Sequence, residues 1–456
     1  MNHKEIESIF SYFKSGETRS YQFRKKQLQK LYNAVKEFEK KIFEALNKDL
    51  HKSAEESYAT EVGFVLSELS YCIKHLKEWM NPTKVSTPLV LMPSSSTIIY
   101  DPLGVCLIIA PWNYPFQLLI TPLIGAIAGG NCAVLKPSEF TPHITAVIKE
   151  MIETTFHKNF ITVVEGDGIK VVPQLMNENR FDHVFFTGSI SVGKEIAKLA
   201  APQLIPTTLE LGGKSPCIID KNIDVKSTVQ RITWGKFTNA GQTCVAPDYL
   251  LIHKSKKDVV IEGIKKSIKK FYGEHPHQSN DYGRIINENR FNKLCSYLND
   301  GEILLGGNTN KDDLYIAPTL MHNIVENAAI MQDEIFGPLL PIFTYTEIEE
   351  VVERIQHHAN PLSLYIFSNN KSVQNKIVEN ISFGGGCINN TLVHLGNPEL
   401  PFGGVAYSGM GVYHGEFSFK NFTRPKAIIN SSTLVDPSIK YPPYKGKLKF
   451  LKWMLK

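Results

Sequence analysis

Several protein classes are excluded by what this chain lacks. Its seven cysteines are scattered at positions 72, 106, 132, 217, 244, 295 and 387 of 456 residues. The number is odd, the spacings are wide and no CxxC occurs. That pattern argues against a disulfide scaffold or a zinc site, so no metal is expected, and it fits a reducing compartment. No apolar run approaches the length of a membrane-spanning helix. The opening residues, MNHKEIESIF, are polar and contain no apolar stretch of the secretory kind. The expected location is therefore the cytoplasm. An excess of one charge is also missing: the net charge is +5, and no basic stripe interleaved with aromatics crosses the body of the chain. Nucleic acid is not an expected partner.

What is present reads as an ordinary globular protein, with 43% hydrophobic and 21% charged residues. The length exceeds one ordinary core and predicts two or three domains. Residues 20–50 carry Phe23, Leu28, Leu31, Val35, Phe38, Ile42 and Leu46 on one face of an amphipathic helix. A second helical stretch covers roughly 55–80 and ends near Asn81-Pro82. Residues 83–101, rich in Ser, Thr and Pro, read as an extended excursion or hairpin. From 105 onward short apolar runs alternate with helix-length segments: Cys106–Ala110, Cys132–Leu135, Ile161–Val164, His183–Thr187 and Thr207–Leu211 are the runs. This alternation predicts an α/β fold with a parallel sheet covered on both faces. A second α/β region follows, with runs at Pro216–Ile219 and Tyr249–His253.

Several short segments place reactive residue types where chemistry would use them. Asn239-Ala240-Gly241-Gln242-Thr243-Cys244 sets a cysteine after a small-residue turn, whose N–H groups can approach a substrate oxygen. A thiolate there is a strong nucleophile, although a cysteine in such a segment is more often only a small buried hydrophobe. Pro111-Trp112-Asn113-Tyr114-Pro115 follows a strand, at the end where open α/β sheets bind ligands. Asn113 there is either a hydrogen-bond donor or a turn residue. Leu209-Glu210-Leu211 sets a carboxyl between leucines, where a raised pKa would suit a general base. Phe186-Thr187-Gly188-Ser189, with Gly193, joins a strand to a helix whose N-terminus could meet a pyrophosphate. It is not GxGxxG, and Gly213-Lys214-Ser215 fails as a phosphate loop because Thr208 stands where the first glycine belongs. Lys136-Pro137-Ser138-Glu139 could hold a ribose but alone reads more often as a solvated charge pair, and Glu334-Ile335-Phe336-Gly337-Pro338 reads as a ribose and ring contact or as a core Phe.

The ordered set PWNYP, KPSE, FTGS, LELGGK, GQTC, DEIFGP and PFGG (Pro401–Gly404) resembles the aldehyde dehydrogenase superfamily over about residues 20 to 430. GQTCVAPDY and the short N-terminus are most similar to its class 3 branch, which includes fatty aldehyde dehydrogenases. The resemblance implies a Rossmann-like NAD(P)-binding domain (1–81 and 102–208) and a catalytic domain (209–395). It also implies a β bridging or oligomerisation element (82–101 and 396–435), hence a homodimer. By the same resemblance Cys244 attacks an aldehyde, Asn113 stabilises the oxyanion, and Glu210 activates the water that releases the acid. Lys136 and Glu139 hold the adenosine ribose, Gly188 to Gly193 lie by the pyrophosphate, and Glu334 and Phe336 fix the nicotinamide ribose and ring. Trp112, Ser138 and Ser189 join the cofactor set, and Tyr114, Trp234 and Phe402 form the substrate tunnel. Glu210 favours hydrolysis over transfer to coenzyme A. Glu139 favours NAD, though class 3 members also accept NADP. On the residues alone, a cofactor-independent cysteine esterase or amidase and a non-catalytic binding protein on the same fold stay open.

The last segment, 436–456, differs in composition and ends in KGKLKFLKWMLK. At helical spacing Lys445, Lys449, Lys452 and Lys456 share one face, with Leu, Phe, Trp and Met around the rest. Such a basic amphipathic helix suits an anionic membrane surface, or else packing on a partner subunit. With the class 3 resemblance it predicts a long apolar aldehyde, fatty or isoprenoid, met at the membrane inner face.

Overall fold

Apolar side chains at helical spacing and well-marked caps set the first eighty residues into helices. The computed structural model describes residues 3–455. Helix α1 (His3–Lys14) is followed by α2 (Tyr21–Leu50), whose start is fixed by Ser20 accepting from the Phe23 N–H at 3.1 Å. Leu28, Leu31, Val35, Ile42 and Leu46 on its inner face are fully buried. The short α3 (Ala54–Ser57) is capped by Ser53 and runs through a π-turn at Tyr58–Val62 into α4 (Gly63–Met80). Strands β1 (Thr83–Val85) and β2 (Ser94–Pro102) then form an antiparallel hairpin that leaves the body.

The next segment builds a parallel sheet from β3 (Val105–Ile109), β4 (Cys132–Lys136), β5 (Ile161–Val163), β6 (His183–Gly188) and β7 (Thr207–Leu211). Helices α5 (Gln117–Gly129), α6 (Pro142–Thr155), α7 (Gly168–Glu178) and α8 (Ile190–Ala200) make the crossovers. Every residue of β3, β4 and α5 is buried, as expected of strands covered on both faces and of a helix apolar all round. The spatial order is β7-β6-β3-β4-β5. The chain runs outward from β3 to β5 and then returns to the other side of β3 with β6. That reversal opens a crevice between the C-terminal ends of β3 and β6, the place where doubly wound sheets hold ligands.

A second sheet contains β8 (Pro216–Ile219), then, after α9 (Val225–Phe237), β9 (Tyr249–His253). Next come β10 (Glu302–Leu305), a small hairpin of β11 (Thr309–Asn310) and β12 (Tyr315–Ile316), and β13 (Thr319–His322). β14 (Leu339–Tyr345), β15 (Ser363–Phe367) and β16 (Gly385–Ile388) follow. The sheet order is β10-β13-β14-β9-β8-β15-β16, parallel throughout except for β10. The chain then returns to the first sheet: β17 (Gly409–Met410) pairs with β7, setting Gly409 opposite Glu210. Helix Gly415–Asn421 packs on α4 and α5, and β18 (Thr423–Ser431) runs antiparallel to β2 over nine residue pairs.

Three boundaries differ from those read in the sequence. The division at 208/209 cuts through β7, whose hydrogen bonds to β6 keep Glu210 and Leu211 in the first sheet; the break falls at the Gly212-Gly213 turn that follows. Of the segment 396–435, only β18 belongs to the bridging sheet, because β17 pairs with β7 in the first sheet and helix Gly415–Asn421 buries Phe419 beside α4 and α5. The terminal helix is shorter than its pattern, spanning Leu448–Met454. Lys445 precedes it, and Lys456 lies outside the described residues.

Candidate active site

The loop that carries Cys244 takes an unusual path. Asn239, Ala240 and Gly241 all have left-handed φ values, 51°, 52° and 75°. Glycine adopts these readily, but alanine does so only under constraint. The constraint is a set of buried hydrogen bonds. Glu56 accepts from the Asn239 N–H at 2.8 Å. The Gln242 amide donates to the Asn239 and Arg284 carbonyls at 3.1 and 2.9 Å and accepts from the Ile286 N–H at 3.1 Å. Cys244 emerges from this loop half-buried.

Two cavities meet at its side chain. One, of about 210 Å³, is almost wholly apolar, and Tyr114, Trp234 and Phe402 line it beside Phe64, Leu392 and His414. Trp234 stands partly exposed, while Tyr114 and Phe402 are buried. Tyr114 Oη is 2.6 Å from Thr243 Oγ1, so the tunnel wall is tied to the residue before the thiol. The other cavity, a cleft of about 760 Å³, lies at the sheet's switch point. Trp112, Asn113, Gly188, Ser189, Glu210, Glu334 and Phe336 line it together with Cys244.

Asn113 is buried at the end of the loop after β3. Its Nδ2 donates to the Gln242 carbonyl at 3.0 Å, leaving its second N–H unclaimed. Glu210 points from β7 into the cleft, and neither of its carboxylate oxygens has a protein partner. Burial alone pushes its carboxyl well above the ordinary value. Burial also raises the Cys244 thiol far up, helped by Glu334 and then Glu210. Glu334, pushed up to about 8 by burial and by Asp248, is drawn back by Arg290 and the Gly213 N–H. Its carboxylate lies over Gly212, in the space a side chain at 212 would fill. Phe336 is held at a left-handed φ of 50°, its ring edge-on to Trp112 at 5.3 Å. Arg290 secures this turn by donating to the Ile335 and Phe336 carbonyls.

These features suit a dinucleotide. Gly188 and Ser189 stand at the N-terminus of α8, with Ser189 accepting from the Val192 N–H, so the helix end faces the cleft. Such an end attracts phosphate. Lys194, Arg290 and Lys293 add positive charge, and Thr187 Oγ1 and Arg290 Nε are buried without partners. The other expected cofactor residues divide. Lys136 Nζ donates to Glu139 at 3.0 Å, and Glu139 also accepts from the Gly168 N–H at 3.0 Å. Partial burial raises the Glu139 carboxyl, but these bonds prevail and hold it below its ordinary value. Lys136 ends β4 and Ser138 and Glu139 follow it, beside the cleft rather than in its lining, and Ser138 Oγ accepts from the Phe140 N–H within its own turn. Gly193 does not reach the cleft. It is buried against Leu211, where its missing side chain lets α8 approach β7.

Residues 5–428 match the aldehyde dehydrogenase family. The chain belongs to that family. It is 49% identical over 448 residues, 98% of this chain and 97% of the other, to the 4,4'-diaponeurosporen-aldehyde dehydrogenase of Staphylococcus aureus. The dimeric, NADP-preferring aldehyde dehydrogenase of Rattus norvegicus is 43% identical over 438 residues, 96% of each chain. A substrate-bound structure of Staphylococcus aureus AldH superposes with a TM-score of 0.98 at 48% identity, over 100% of both chains. This enzyme is thus an NAD(P)-dependent oxidoreductase that converts aldehydes to acids, of the class 3 type. The non-catalytic reading falls away.

Sequence reasoning missed Lys52, Glu56 and Glu61, which reach the site from α3 and its surroundings, and also Arg290 and His414. Charged residues on a polar helix give no local sign of burial.

One titration follows from the unpartnered Glu210. Its folded pKa lies above its unfolded value, so its contribution to stability is full below the unfolded value and is lost as pH rises from there through the folded one. Glu210→Gln removes that titration. The thermal midpoint of the variant should gain on wild type as pH rises from about 5 to about 9. A difference that stays constant over that range would contradict this environment for Glu210.

Proposed function

We propose that this aldehyde dehydrogenase oxidises medium- and long-chain apolar aldehydes, fatty or isoprenoid, through a covalent adduct on Cys244. The observation that carries this reading is that Cys244 is shared by an apolar tunnel and a polar cleft. An aldehyde with an apolar tail lies in the first, and the cofactor in the second.

The Cys244 sulfur, once its proton has left, adds to the aldehyde carbon, and the carbonyl oxygen becomes an oxyanion. The free Asn113 N–H and the Cys244 main-chain N–H meet it, and such donors contribute roughly 3–4 kcal/mol each when they are fixed in advance. A bare aldehyde is a poor hydride donor, whereas the alkoxide adduct releases hydride readily. Gly188 and Ser189 at the α8 N-terminus would hold the pyrophosphate of NAD(P), and Glu334 and Phe336 its nicotinamide end; bound there, it would supply the hydride acceptor. Glu210 then takes a proton from water, whose oxygen attacks the thioester carbon; the C–S bond breaks and the acid leaves. A carboxyl with a raised pKa suits that task near neutral pH. The charged, tied Glu139 beside Lys136 disfavours a 2′-phosphate, so NAD is preferred and NADP accepted.

Dinucleotide binding belongs to the β3–β7 sheet, the nucleophile to the second sheet, and subunit contact to β1, β2 and β18. β18 is an edge strand, exposed over most of its length and paired on one side only, and an open edge of this length invites a second strand. A homodimer, like the rat relative named dimeric, would cover it. The apolar tunnel and the relative named for 4,4'-diaponeurosporen-aldehyde both support a long apolar substrate.

No helix among the described residues is long and apolar enough to cross a membrane. The terminal helix Leu448–Met454 is a different device. Leu448, Phe450, Trp453 and Leu455 are exposed, among Lys445, Lys449 and Lys452, while Lys447 is tied to the Ser438 and Tyr441 carbonyls. Apolar and cationic groups together fit an anionic bilayer surface at the inner face of the membrane.

Reduced cofactor followed at 340 nm with aldehydes of increasing chain length should show kcat/KM rising with length and vanishing in Cys244→Ala. Turnover confined to short aldehydes would contradict the substrate class. Removal of residues 440–456 should leave activity on a short soluble aldehyde intact and abolish binding to anionic vesicles. Vesicle partitioning unchanged by the deletion would contradict the role given to the tail.

A further inference from the structure

Lys52 and Glu61 are fully buried charges that no step above uses. The Lys52 ammonium donates to Glu61 Oε1 at 2.6 Å and to the main-chain carbonyl of Asn113 at 3.0 Å. It also stands 4.1 Å from the centre of the Tyr114 ring. The second oxygen of Glu61 accepts from the N–H groups of Phe116 and Gln117 at 2.9 and 3.2 Å. The pair therefore grips the chain on both sides of Tyr114, by the carbonyl before it and the amides after it. Asn239 Nδ2 adds a second donor to the Asn113 carbonyl at 2.8 Å, joining this grip to the Cys244 loop. Glu61 lies on the π-turn at Tyr58–Val62, an irregularity that is frequent at functional sites.

Stability alone gives little reason for such a pair. Desolvation of two buried charges offsets much of their attraction, and apolar residues of similar size often serve a fold as well. What apolar residues cannot do is hold a carbonyl in place by a charged hydrogen bond. We infer that Lys52 and Glu61 are positioning residues, which fix the Asn113 main chain so that its free Nδ2 hydrogen meets the oxyanion formed at Cys244. This inference rests on the roles proposed above for Asn113 and Cys244.

Two reagents that attack the same thiol separate positioning from general damage. Iodoacetamide alkylates it: the S–C bond forms, iodide leaves, and no oxyanion develops. p-Nitrophenyl acetate acylates it through a tetrahedral oxyanion and releases p-nitrophenolate. Both rates are read on the full-length protein, at the Cys244 peptide by mass. Lys52→Met/Glu61→Met removes both charges and leaves neither unpaired. Its acylation should slow about 100-fold, as for loss of one oxyanion donor, with alkylation within about 2-fold of wild type. In an Asn113→Ala background the same double substitution should slow acylation no further. Glu61→Gln, which keeps the side-chain volume, should slow acylation about 10-fold with alkylation again unchanged, so the inference is also tested should the double variant fail to fold. Acylation at the wild-type rate, acylation and alkylation falling together, or losses that add to that of Asn113→Ala would each overturn it. Neither reagent needs aldehyde or cofactor. A failure of the dehydrogenase reading would appear separately, as wild-type enzyme that forms no reduced cofactor.

Discussion

Three consecutive left-handed residues, Asn239, Ala240 and Gly241, set the position of Cys244, and buried hydrogen bonds from several sides keep them there. A strained loop holds its shape only when its surroundings determine it from several sides. Here Glu56 comes from the N-terminal helices, Arg284 and Ile286 from the second α/β region, and Asn113 from the first sheet. The loop is therefore a junction of all three. The single thiol faces two cavities of opposite character, and Cys244 and Leu118 are the residues that line both.

The electrostatics follow from that junction. Burying a thiol among carboxyls raises the energy of its anion, and the same burial keeps Glu210 and Glu334 readily protonated. Glu210, with no protein partner on either oxygen, is left open to water. Glu334 is braced by the Gly213 N–H and the Arg290 charge beside the dinucleotide cleft. Two carboxyls close to one sulfur are thus given different surroundings, and the proposed roles of base and binding group rest on that difference.

Much of this was legible in the residues. The strands β3 to β7 read as short apolar runs because both faces of a parallel sheet are buried, and the PWNYP and GQTC segments stand out because strand ends and small-residue turns are punctuated. The return of Gly409–Met410 to β7 left no mark, since two residues carry no periodicity. Thr207–Leu211 reads as a run of the first sheet, and only the boundary at 208/209 that the resemblance implies sets Glu210 on the other side. Gly193 reads as a phosphate contact by resemblance, whereas in the fold it brings a helix onto Leu211. Lys52, between two helices, and Glu61, within a helical stretch, look like solvated charges, and only the tertiary fold shows them buried.

The account stands on covalent capture of the aldehyde carbon by Cys244 at the meeting point of the two cavities. Glu210→Gln enzyme mixed with a long-chain aldehyde and NAD tests this directly, by intact mass and by reduced cofactor formed in the first turnover. The account predicts one reduced cofactor per subunit, then arrest, with the mass of one acyl group on the peptide that contains Cys244. Undiminished steady turnover, or an acyl group on another cysteine, would contradict it.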